Sequence, residues 1–137
     1  MKRATAITFT VPGRPVPWQR ARTHNGRHFT APEVAAAKLA IALSAKAAGA
    51  SDRYVHPWRV RIAAIYEPPA SWSKNARAAA LCNLTKPIGR PDLDNLGKLV
   101  LDALNGVAWV DDAHVVELTV AKLYGPAAKT VVTLEAA

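Results

Sequence analysis

Acid is scarce in this chain. Of 137 residues, 10 are Asp or Glu against 18 Lys or Arg, a formal net charge of +8 at pH 7. Residues 1–32 carry Lys2, Arg3, Arg14, Arg20, Arg22 and Arg27 with no carboxylate among them. Residues 68–91 carry Lys74, Arg77, Lys86 and Arg90, again with none. A surplus of this sign favours polyanionic partners, nucleic acid or an anionic membrane, through long-range Coulomb attraction. Cysteine is nearly missing: Cys82 stands alone. No internal disulfide can form, which suits a reducing cytoplasm. In its alanine-rich setting Cys82 reads as a buried thiol rather than a nucleophile. No run reaches the ~18 apolar residues that span a bilayer. The basic start leads into alternating Ile7, Phe9 and Val11, not into a signal-peptide core. No strongly basic helix with an aromatic face is present, which ranks membrane below nucleic acid. The expectation is a soluble cytoplasmic protein with one domain over residues 1–137.

What the chain does hold is half hydrophobic, enough for a core. Residues 4–11 alternate and predict a strand, ended by Pro12-Gly13. Residues 18–29 read as a basic hairpin turning at Asn25-Gly26. Thr30 is a fair cap for a helix over 34–48 that Gly49 stops. Residues 58–66 form a strand with Arg59 and Arg61 on one face and Val60 and Ile62 on the other. Ser73 caps a short helix from Lys74 to Leu81. Leu93, Leu96, Val100, Ala103 and Leu104 make one helical stripe, ended by Asn105-Gly106. A short extended run at 107–110 follows, then strands at about 115–124 and 130–134. This order predicts an α+β domain, a mixed or antiparallel sheet packed by two main helices.

Six of the ten acids, Asp92, Asp94, Asp102, Asp111, Asp112 and Glu117, fall between positions 92 and 117. Asp92 and Asp94 would diverge if both were helical. Pro91 places them at a loop-to-helix junction, where they can converge. One aspartate there would serve as a cap worth about 1 kcal/mol; a second adds repulsion unless something positive lies between. Lys98 follows Asp94 by one turn, either as a solvated pair or as a cation aimed at a phosphate. Asn95 can orient a carboxylate or a water. Asp102 reads as a solvated charge. Asp111-Asp112 is a turn signal alone, and beside the first pair it offers a third ligand. Such a set suits a hard ion such as Mg²⁺, held with water and substrate phosphate, which serves phosphodiester chemistry. His24, His28, His56 and His114 make no zinc spacing. Trp18, Trp72 and Phe29 fit either stacking on bases or anchoring the core.

The stretches RPDLDNLGK (90–98), LDALNG (101–106) and WVDDAHVVE (109–117) closely resemble the signature of RusA-type Holliday junction resolvases. VPWQRAR (16–22) and SWSK (71–74) look like the phage-type, prophage-encoded branch. The resemblance implies a small α+β homodimer that binds four-way junction DNA. It also implies paired nicks made with Mg²⁺ or Mn²⁺, leaving 5′-phosphate and 3′-hydroxyl ends. By position Asp92, Asp94 and Asp112 match the acidic catalytic and metal-binding set, and Lys98 a basic residue needed beside it. Asp111 matches an adjacent acid. Arg20, Arg22, Lys74, Lys86 and Arg90 are the expected backbone contacts. Gly97 departs from the pattern, where a longer residue is usual. It costs about 1 kcal/mol of helix propensity and permits close approach of backbone or DNA. The rival reading is a non-catalytic basic nucleic-acid-binding protein whose aspartates are caps and turns.

Overall fold

Alternation in residues 58–66 organises the molecule. In the computed structural model, which describes residues 6–137, strand β4 (Trp58–Tyr66) buries every second side chain from Trp58 to Tyr66. Strand β6 (Lys129–Ala136) pairs antiparallel to it, and β1 (Ile7–Pro12) pairs antiparallel to β6. Strand β5 (Val115–Tyr124) lies parallel to β4 on the other side, giving the order β1-β6-β4-β5. The expected mixed sheet is present. The part of the first strand expected at residues 4 and 5 lies outside the described residues. A separate hairpin, β2 (Arg22–His24) with β3 (Arg27–Phe29), turns at Asn25 and Gly26. Both turn residues take positive φ, 52° and 75°, as a tight hairpin turn requires.

Two main helices, α1 (Pro32–Ala47) and α3 (Leu93–Leu104), pack against each other and against the sheet. Their buried side chains meet the inward face of β4 and β6, with Trp58, Trp109, Leu99, Leu104, Leu134, Val34, Val60 and Val132 fully enclosed. The outward sheet face is apolar along Ala63, Ile65, Leu123 and Val131 and polar at its Arg59 end. There Arg59 binds Glu117 on β5, and Arg59 and Arg61 each lie 3.7 Å from Glu135 on β6. Hydrogen bonding and Coulomb attraction from Glu117 hold the Arg59 guanidinium more firmly charged. Glu117 is thereby removed from the acidic block that the sequence places it in.

The short helix α2 (Lys74–Leu81) has the expected cap: Ser73 Oγ accepts from the Ala76 N–H at 3.1 Å. Thr30 is not the cap of α1. That position is Ala31, with no side-chain cap bond, and Pro32 starts the helix without an N–H to satisfy. Cys82 is exposed, not buried, because it follows the end of α2 rather than its packed turn. Residues 107–110 are not extended. Gly106 N–H bonds the Trp109 carbonyl at 2.7 Å and Trp109 Nε1 donates to Asn105 Oδ1 at 3.0 Å, closing a compact turn around a buried indole. Among the described residues no helix is long and apolar enough to cross a membrane.

Gly97 faces β5, not DNA. A Cβ there would lie 3.1 Å from Val120 Cγ2 and 3.4 Å from Leu118 Cδ2. The missing side chain lets α3 settle onto the edge strand. Gly97→Leu should therefore overpack this seam and lower stability by about 1–3 kcal/mol in urea unfolding; an unchanged midpoint would mean that the seam has room to spare.

Candidate active site

Pro91 and the residues around it set how α3 begins. Asp92 takes the cap position in extended backbone, φ −73° and ψ 149°, yet its side chain makes no cap hydrogen bond. Asp94 lies in the first turn, where its Oδ1 accepts from the Asn95 N–H at 3.0 Å. Both carboxylates are exposed, and neither forms an ion pair among the described residues. Negative charge at a helix N-terminus is favoured by the backbone dipole, so repulsion between the two is partly offset. The capping explanation that would make Asp92 purely structural has no hydrogen bond behind it.

Lys98 sits one turn along and points outward. It makes no ion pair with Asp94; its Nζ lies over the ring of Trp18, 3.6 Å from the centroid. A cation–π contact holds the ammonium without occupying its N–H donors with an acceptor. Trp18 is itself pinned, since its backbone N–H donates to the Asn95 carbonyl at 2.8 Å. Trp18 therefore acts both as partial core, half-buried against the main cluster, and as a rest for Lys98. Arg20, two residues further along this loop, is exposed. Asn95 contributes its backbone carbonyl here.

The turn before the aspartates is clamped from β5. Lys122 Nζ donates to the Gly89 carbonyl at 2.6 Å and to the Pro91 carbonyl at 3.2 Å. Sequence reading missed Lys122. The available signal was its place in the alternation: Leu118, Val120 and Lys122 share the inward-facing parity, an odd place for a lysine. With Lys122 at the start of α3 and Val120 and Leu118 under Gly97, β5 runs antiparallel to α3.

Asp111 and Asp112 lie just before the opposite end of β5. Asp111 is extended and its carbonyl accepts from the His114 N–H at 3.1 Å, closing a 3-10 turn over Asp112–His114 that packs against α3. His114 Nδ1 is sheltered and has no hydrogen-bond partner among the described residues. Asp112 is half-buried and Asp111 exposed, and neither side chain caps the turn. The fold does not gather Asp92, Asp94 and Asp112 into a ready cage: among the described residues no group of three or more Asp, Glu, His or Cys side chains is placed to hold an ion. In kind the donors fit a hard cation, being carboxylates free of caps and ion pairs. Mg²⁺ commonly takes only one or two carboxylates, with water and substrate phosphate completing its shell.

The expected DNA-contacting residues lie on several elements. Arg90 and Lys86 are exposed on the loop leading into the Asp92 turn. Lys74 begins α2, where a cation works against the helix dipole, so helix stability does not explain it. Arg22, on the hairpin, lies 3.5 Å from Glu33, an exposed pair that contributes little. Lys122→Met should free the 89–91 turn. We expect a stability loss of about 1 kcal/mol and faster amide exchange at Gly89, Arg90 and Asp92; unchanged exchange there would show that the clamp is not what orders the turn.

Residues 12–135 match the family described as Endodeoxyribonuclease RusA. The Uncharacterized protein YqaN of Bacillus subtilis (strain 168) is 35% identical over 125 residues, covering 86% of this chain and 87% of its own length. With nearly the whole chain matched, and its aspartate-bearing turn and outward lysine on one helix, this protein belongs to the RusA endodeoxyribonuclease family.

Proposed function

We propose that the chain is a metal-dependent, structure-selective endonuclease that resolves four-way (Holliday) junctions by paired nicks. The observation that carries this reading is the first turn of α3: two exposed carboxylates that neither cap the helix nor pair with a cation, with a lysine held outward nearby. Asp92 and Asp94 would hold Mg²⁺ or Mn²⁺ with water and substrate phosphate, Asn95 supporting; Asp112, set with Asp111 toward the other end of β5, would supply a third carboxylate only on rearrangement. Bound there, such an ion offsets charge on the phosphodiester and lowers the pKa of water. Lys98, propped on Trp18, meets a phosphate oxygen and stabilises charge that grows during hydrolysis. Arg20, Arg22, Lys74, Lys86 and Arg90 bind DNA backbone, which makes affinity salt-dependent and nearly independent of sequence. Two nicks in one junction call for two such turns, so a symmetric homodimer is part of the proposal.

The test is cleavage of a synthetic four-way junction with Mg²⁺, wild type against Asp94→Asn. Even partners outside the direct ligand set of a metal site cost about 10–100-fold when mutated. Asp94→Asn should therefore cut at least about 100-fold more slowly while still retarding the junction in a gel. Undiminished cutting would remove the metal role of the turn. Binding by the wild type without any Mg²⁺-dependent cutting would favour a binding-only protein.

A further inference from the structure

A second cationic feature lies beside the cutting turn. Tyr66 and Tyr124 are paired residues at the C-terminal ends of the parallel strands β4 and β5. Beyond them opens a cleft of about 480 Å³ bounded also by Arg14, Arg90, Lys122 and Glu67. Three cations face one carboxylate, so the cleft carries a net positive charge. Tyr66 is 8% exposed, yet its hydroxyl is buried with no hydrogen-bond partner among the described residues. A buried hydroxyl left unpaired costs free energy, and folding alone gives no reason to keep it. Burial pushes Tyr66 above the usual phenol range, with Arg14 pulling weakly the other way. The group therefore stays protonated at working pH and can donate to an anion. Arg14 reaches the same wall, its guanidinium carbon 5.8 Å from the Tyr66 ring centroid. Lys122 forms part of the wall while its ammonium ties Gly89 and Pro91, so the cleft adjoins the Asp92 turn directly.

We infer that this cleft seats a backbone phosphate of the DNA strand entering the cutting turn, with Arg14 as its first contact and Tyr66 Oη, sheltered in the cleft wall, as a donor that a small movement of the wall opens to it. The inference rests on the DNA-cutting reading above. It adds a site that fixes the strand's position next to the carboxylates and removes the one polar cost that the folded protein carries there.

The test measures fluorescence anisotropy of a labelled four-way junction in EDTA across a salt series, for wild type, Tyr66→Phe and Arg14→Gln. Arg14→Gln should reduce the salt slope by about one phosphate's worth. Tyr66→Phe should weaken junction binding about 3- to 10-fold while its thermal midpoint holds or rises, because the ring remains and the orphan hydroxyl is gone. A purely structural tyrosine would move both quantities together, or the midpoint alone. Unchanged affinity and slope in both variants, with the wild type still cutting junctions, overturns the phosphate seat and leaves the nuclease reading standing. Failure of the wild type to cut would instead fall on the nuclease reading, and the binding series would judge the cleft on its own. A calorimetric titration with inorganic phosphate separates the two sources of the anion. Saturable uptake that Tyr66→Phe abolishes, with junction affinity unaltered, would overturn the assignment to a DNA strand.

Discussion

The seam between α3 and β5 sets where the candidate carboxylates stand in this molecule. Gly97 lets the helix lie against Val120 and Leu118, and Lys122 ties the turn ahead of the helix to the same strand. The two contacts fix both the height of α3 above the sheet and the position of its first residues. Asp92 and Asp94 inherit that placement without contributing to it, since neither side chain caps the helix or pairs with a cation. Their carboxylates remain available, a condition that a helix start with ordinary capping would not meet. Lys98 depends on the same seam from the other side: set about 100° round the helix from the inward Gly97, it is the exposed residue between buried pairs and rests against Trp18.

Much of the fold can be read from residues because burial is one-sided. In β4 the alternation of Val60 and Ile62 with Arg59 and Arg61 is a direct record of which face is wet. Ser73 before an alanine-rich octet announces α2, and Asn25-Gly26 announces the hairpin, because local backbone chemistry alone decides both. Failures arise where tertiary contacts overrule local pattern. Val107 to Val110 is apolar because Trp109 is buried, not because the segment is a strand. Thr30 is a good cap by type, but Pro32 sets the helix start one residue later than that cap requires. Cys82 shares an alanine-rich composition with α2 and none of its packing.

The site was partly visible on similar grounds. The Asp92–Asp94 pair and Lys98 lie within about two helical turns, so spacing carries their relation. Asp112 belongs to another element, and its relation to the pair depends on sheet order and helix direction, which spacing does not encode. Lys122, Tyr66 and Arg14 come from two strands and a loop far apart in the chain, so no short motif could name them. The parity of Lys122 in its strand was the sole local sign. Trp18, for which stacking and core anchoring both stood open, turns out to anchor the core edge and support a cation at once.

The outward sheet face has a further consequence. Arg59 and Arg61 are matched there by Glu117 and Glu135, so that patch carries no net charge despite its arginines. The chain's excess of positive charge must then reside elsewhere on the surface, and the molecule's field is lopsided. A polyanion approaching at random feels a torque before any contact forms, and low ionic strength lengthens the range over which it acts. Encounters would thus be sorted by orientation during diffusion, with the quiet face turned away.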